Sequence, residues 1–306
     1  MIRFYENRNI YFGISIAIIL IGIIALFING ISLDIQFKGG AILKYAYNGE
    51  IDLNNVDAIV TNTLAREVST QITTDLVTQQ NNLVLNLAGN EGLSVESQQK
   101  LEEALKNEFP DAGFVLSESS IVEPFIGKQF LRRGITAIVL ASILIVVYVW
   151  IRFKRISGLS AGVMALVALF HDVLAVFITF IVFKIPLDEN FIAVALTIIG
   201  YSINDTIVIY DRIRENSMLD RKIPIEDLVN KSITQSLTRS INTAIAVFFS
   251  IVLVYGFAQY YNIESIKNFA LPMTVGVVSG CYSTICLAGP LWVMWQKHKQ
   301  KSQKAA

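Results

Sequence analysis

The sequence predicts a polytopic α-helical membrane protein that carries an external α+β domain between its first and second spans. Three observations predict it. Of 306 residues, 53% are hydrophobic and only 16% are charged, where soluble domains average roughly 25% charged. Six apolar stretches are each long enough to cross hydrocarbon. Between the first and second stretch lies one long polar interval, residues 29–134, in which strand and helix periods alternate.

The first stretch, Ile10 to Ile28, follows a short polar N-terminus (residues 1–9) that reads as cytoplasmic. Its 19 residues exceed the h-region of a secretory signal, about 7–15 residues, and no A-x-A-like cleavage site follows. It is expected to be a retained membrane anchor.

The polar interval has its own order. IQFKGGAILKYAY (35–47) reads as a strand, and Leu53–Val68 carries helical periodicity. TQITTDLV (70–77) and NLVLNLAG (82–89) read as a hairpin turning around Gln79–Asn81. An amphipathic helix over Ser94–Phe109 is expected next, with Ser94 as N-cap and Pro110 as its stop. GFVLSESSIV (113–122) closes the domain as a strand. The order β-α-β-β-α-β is the split, ferredoxin-like arrangement. The interval holds no nucleophile with a base, no phosphate-binding glycine loop and no ligand cluster, so a binding or lever module is expected there and not an enzyme.

Residues 135–295 contain the remaining spans: Ile135–Ile151, Gly158–Phe183, Phe191–Tyr210, Ile241–Ala258 and Phe269–Trp295. Residues 296–306 form a basic tail. With the N-terminus inside, the inner segments hold 15 Lys and Arg, whereas the two short outer loops hold only Lys184 and Lys267. The positive-inside rule therefore places both termini in the cytoplasm. Lys128, Arg132 and Arg133, just outside the second span, are accommodated by snorkelling toward headgroups.

The fourth span poses the chemical question. An Asp in the middle of a spanning helix costs about 2.5–3.5 kcal/mol by insertion scales, yet this helix carries Tyr201, Ser202, Asn204 and Asp205. Helical spacing sets Thr197, Tyr201, Asp205 and Val208 on one face, with Ser202 beside them. The third span sets Ala161, Ala165, Ala168, Asp172 and Ala175 on one face, next to His171. The sixth places Gly276, Gly280, Thr284 and Ala288 at intervals of four, and the fifth opens with Arg239, Ser240, Thr243 and Ala244. Small residues at that spacing let helices approach closely. Asp205, Asp172 and Arg239 are therefore expected to meet in the bundle interior. A carboxylate held between burial and a nearby guanidinium can change charge state after a small rearrangement, which is the basis of a proton relay. A static ion pair that only sets helix register is the alternative.

Other chemistries find little support. Cys281 and Cys286 would point about 140° apart on a regular helix and cannot bridge each other, so both are expected to pack as small apolar groups. His171 and His298 are the only histidines, too few for a Cys/His metal site, and His171–Asp172 has no second such pair to complete a metallohydrolase. The net charge of zero gives no reason to expect nucleic acid as a partner.

At this point the residues match a known family. GYSINDTIVIYDRIREN (200–216) closely resembles the fourth-span signature of the SecF branch of the bacterial SecD/SecF protein-export family. FKGG (37–40), IRF (151–153), LFHDV (169–173), LVNKSITQSLTRS (228–240) and GCYSTICLAGPL (280–291) resemble it in the same order. The resemblance covers nearly the whole chain. It implies half of an RND-type bundle, completed by a SecD-like subunit, in the bacterial cytoplasmic (inner) membrane. It implies a subunit that works beside the SecYEG channel, with YajC and a YidC-type insertase as further partners, on unfolded polypeptide during late export.

It also implies that ion flow drives the work, with protons or sodium as the coupling ion and no other cofactor. Asp205 and Arg239 fall on the family's charged relay positions, and Asp172 on its His–Asp pair. His171, Tyr201, Ser202 and Asn204 would support the relay, and Gly200, Gly276, Gly280 and Thr284 would pack the helices. The family commonly reads G-I-D-F-T-G-G before the external domain. Here Gln36 and Lys38 replace its Asp and Thr, while Phe37, Gly39 and Gly40 keep the turn. The competing expectations are half of an RND-type small-molecule exporter and a non-transporting membrane-assembly scaffold.

Overall fold

The computed structural model describes residues 2–34, 39–49, 51–64, 66, 68–74, 80–88, 93–122 and 124–305. Phe37, with Gln36 and Lys38, lies outside these residues. Helix α1 (Arg8–Asn29) is the first span, closed by Gly30 at a φ of 68°. Gly39 at 78° and Gly40 at 148° then take backbone conformations that favour glycine as the chain turns into the α+β unit.

That unit runs β1 (Gly40–Tyr47), α2 (Leu53–Leu64), β2 (Val68–Thr74), β3 (Asn81–Ala88), α3 (Val95–Glu108) and β4 (Val115–Val122). The sheet order is β2-β3-β1-β4 with every neighbouring pair antiparallel. Alternation along the strands explains its core. Leu43 pairs with Leu85 and Tyr45 with Leu83, and all four are fully buried with Val56, Val60, Leu101 and Leu105 of the helices. Ser94 caps α3 by accepting the Ser97 backbone N–H at 3.2 Å.

Two boundaries depart from the periodicity. Helix α2 stops at Leu64 and not at Val68, because Val68 already pairs with Leu87 in β2. The β2 strand lies earlier than expected for the same reason. Residues 75–79, which include part of the expected turn, lie outside the described residues.

Six helices among the described residues are long and apolar enough to span a membrane. After α1 these are α4 (Pro124–Arg152), α5 (Gly158–Val182), α6 (Glu189–Leu219), α7 (Ile225–Tyr260) and a last one built as α8 (Glu264–Ser283), a π-helical turn (Thr284–Ala288) and α9 (Gly289–Ala305). Asp188 caps α6 through the Asn190 N–H at 2.9 Å. Several helices outrun their apolar stretches: α4 begins before Ile135, α6 continues past Tyr210, and α7 starts before Ile241. Backbone hydrogen bonding continues wherever propensity allows, so hydropathy edges mark where lipid ends and not where helix ends. Arg239 and Ser240 consequently sit well inside α7.

Burial divides the bundle. Helices α5, α6 and α8 are largely buried, whereas α1, α4 and α7 leave most of their apolar surface open. The deep positions of α5 and α6 pack on Phe153, Tyr210, Val229, Ile233 and Val293 in one cluster, and on Phe180, Met273 and Val277 in another. The molecule is thus a multi-pass membrane protein whose three central helices form a tight seam.

Candidate functional site: two carboxylates in the helical bundle

The seam closes on Asp172. Ala161, Ala165 and Ala168 on α5 are buried to within 1% exposure and bring α6 and α8 close enough to enclose a short side chain. Asp172 itself has no exposed surface. Its Oδ2 accepts hydroxyl hydrogen bonds from Ser202 of α6 at 2.7 Å and from Ser283 of α8 at 2.6 Å. Its Oδ1 accepts one from Ser279 at 2.7 Å. Three neutral donors from two neighbouring helices therefore solvate a carboxyl group that lipid and packed side chains would otherwise strand.

His171 completes this cluster from the side. Its Nδ1 lies 3.3 Å from Asp172 Oδ1 and 3.4 Å from Ser279 Oγ, and its ring faces Tyr282 with centroids 5.9 Å apart. Among the described residues the buried Nε2 of His171 has no partner. Further along α6 and the last span, Thr284 is fully buried, lies 3.0 Å from the Thr206 hydroxyl and donates to the Ser202 carbonyl at 3.3 Å.

Asp205 occupies a second position, three residues beyond Ser202 on α6. It is half-buried, and its Oδ1 accepts the Ser240 hydroxyl of α7 at 2.8 Å. Tyr201 is half-buried and Asn204 is exposed. Arg239 is exposed and forms no ion pair with Asp205 among the described residues. The expected meeting of Asp205, Asp172 and Arg239 in one interior cluster is therefore corrected. The structure has two carboxylate sites, bridged by α6, and Arg239 enters neither as a hydrogen-bond or ion-pair partner among the described residues. Ser240 faces α6, and the neighbouring Arg239 is turned about 100° away from it.

The small-residue stripe divides as well. A Cβ on Gly276 would come within 2.6 Å of Ile198 and 2.9 Å of Val176, and one on Gly280 within 3.2 Å of Ser202. Both glycines are needed for close approach. Gly200 is not, because nothing lies within 4 Å of its hypothetical Cβ, so its expected packing role is corrected. Cys281 and Cys286 are unpaired and half-buried.

Ser279 and Ser283 are the functional candidates that sequence reasoning missed. The signal was present: both lie at the same four-residue spacing as Gly280 and Thr284, one position before each along the same helix.

Comparison with known proteins gives one consistent result. The family described as protein export membrane protein SecD/SecF, C-terminal, matches residues 100–298. The chain is 35% identical over 294 residues to the protein translocase subunit SecF of Alicyclobacillus acidocaldarius, covering 95% of this chain and 92% of that one. It is 32% identical over 296 residues to the protein translocase subunit SecDF of Brucella abortus, covering 96% of this chain and 37% of that protein. The crystal structure of SecDF from Thermus thermophilus, described as translocon-associated, superposes with a TM-score of 0.75 at 27% identity. It covers 97% of this chain, which spans 39% of that structure's length.

Proposed function

The chain belongs to the SecD/SecF family of protein-export membrane proteins, as a SecF-like translocase subunit, and from that premise we propose that it couples ion passage through its bundle to late-stage polypeptide export. The observation that carries this is Asp205. It is a half-buried carboxylate in a spanning helix, bonded to Ser240 of the next span. Asp172, held by hydroxyls one turn away across α6, is the second stop of the same relay. A proton arriving at either group must rearrange hydroxyl donors that tie α6 to α7 or α5 to α8, so a charge change becomes a helix displacement. The coupling ion is the proton, and sodium is the alternative that a flux measurement separates.

The partner reading follows the relatives. SecD and SecF sequences are joined in SecDF proteins, of which this chain matches the SecF-like part, so a separate SecD-like subunit completes an RND-type bundle. The open faces of α1, α4 and α7 support that reading. SecYEG, YajC and a YidC-type insertase are the proposed neighbours, and unfolded polypeptide is the cargo. The lysine and arginine distribution supports cytoplasmic termini and an external α+β unit. Its strand order supports a ferredoxin-like lever that moves with the bundle.

Depletion of the native subunit tests the function. Supplying this chain is expected to restore signal-peptide cleavage of a secreted precursor. Unrelieved precursor accumulation together with restored resistance to small toxic molecules would transfer the chain to the exporter reading.

A further inference from the structure

We propose that the cleft between the α4–α5 turn and α9 is a headgroup site for an anionic phospholipid. The cleft, about 620 Å³, is lined by Trp150, Lys154, Ser157, Trp295, His298 and Lys299, and among the described residues no Asp or Glu lines it. That volume lies within the range of small-ligand pockets. Its charge complements a phosphate, and its position complements a lipid.

The walls are built into the fold. Ser157 takes a left-handed conformation with φ 60° and starts α5. Gly158 follows because a Cβ there would lie 2.5 Å from the Trp150 carbonyl oxygen. The Ser160 hydroxyl accepts the Trp292 indole N–H at 3.2 Å and the Gln296 amide at 2.7 Å, which ties the start of α5 to α9 and forms the floor. The amino end of α5 opens into the cleft, and its dipole favours an anion there.

Three features select a lipid over a soluble phosphate. Trp150 and Trp295 are each about half exposed, at 48% and 50%, and exposed indoles at the end of spanning helices mark the headgroup layer. Leu159, which also lines the cleft, is exposed at 54% and continues the surface toward hydrocarbon. Lys154 and Lys299 stand on opposite walls at the ends of spans, the arrangement that seats anionic headgroups between helices. A ligand that satisfies all of these carries an anion at one end and acyl chains at the other.

The test uses tryptophan fluorescence of the full chain reconstituted in phosphatidylcholine vesicles. Brominated phosphatidylglycerol is the probe, and brominated phosphatidylcholine is the neutral comparison. The rim indoles are expected to be quenched preferentially by the anionic lipid. Each lysine near the surface contributes on the order of a fivefold preference. Lys154→Glu with Lys299→Glu should therefore raise the half-quenching fraction of phosphatidylglycerol at least about 25-fold, and the matching Gln variants should raise it less. Arg221→Glu with Lys222→Glu makes the same charge change in the α6–α7 loop and should leave it unchanged. Equal quenching by the two lipids overturns the site. So does an equal effect of both Glu pairs, which would mean general attraction to a basic surface. Reversal of the preference by soluble glycerol phosphate would assign the cleft to a soluble anion and overturn the lipid reading.

Discussion

Ser283 of α8 donates its hydroxyl to Oδ2 of Asp172 on α5 at 2.6 Å, and neither side chain has any exposed surface. This bond joins the third and sixth spans through a fully buried carboxyl group. Removing the donor leaves a buried acceptor short of one partner, which costs about 1–3 kcal/mol. Ser283→Ala should destabilise the protein by that amount in detergent unfolding. The same substitution in an Asp172→Asn background should cost less, because the two residues act as a pair. Equal costs in both backgrounds would show that Ser283 stabilises something other than Asp172.

Two glycines separate packing from permissiveness. Gly276→Ala drives a methyl group against Ile198 and Val176 and should cost about 1–3 kcal/mol as overpacking. Gly200→Ala enters open space and should be neutral or gain up to about 1 kcal/mol from helix propensity. Thermal midpoints of the two variants in one detergent check the contrast, and a Gly200→Ala loss as large as that of Gly276→Ala would contradict it.

Why Gly200 misled and Gly276 did not shows what a sequence carries. Hydropathy exposes the spans, because each must bury its own backbone in lipid whatever its neighbours do. Ser94 is legible as a cap for the same local reason. Helix rotation about its axis is set only by partners. The stripe Gly276–Gly280–Thr284 could be seen, yet that Ser279 and Ser283 beside it close on Asp172 depends on α5 and α6 arriving together. Arg239 and Ser240 are adjacent in sequence, and only the packing of α7 on α6 decides that the hydroxyl meets Asp205 and the guanidinium does not.

Tyr45 offers a pH-dependent test in the α+β unit. It is fully buried, and its hydroxyl has no partner among the described residues. Burial, and then the nearby Glu102 charge, push the phenol up to about 12 from its usual 10. Between those values the unfolded chain releases a proton that the folded one keeps, so stability falls as pH rises through that window. Tyr45→Phe should flatten this decline. At pH 7 it should be neutral or stabilising, because the unpaired hydroxyl no longer has to be buried. A steeper alkaline loss in the variant would contradict the assignment.

Ion-coupled export by this subunit rests on the titratable charge of Asp205. The most direct measurement is the rate of precursor maturation in cells depleted of the native subunit and supplied with either this chain or its Asp205→Asn variant at equal membrane abundance. Asparagine keeps the shape and the acceptor for Ser240 while removing the titratable charge. The wild-type chain is expected to restore maturation and the variant is not. Equal rescue by both would remove Asp205 from the mechanism and contradict ion-coupled export by this subunit.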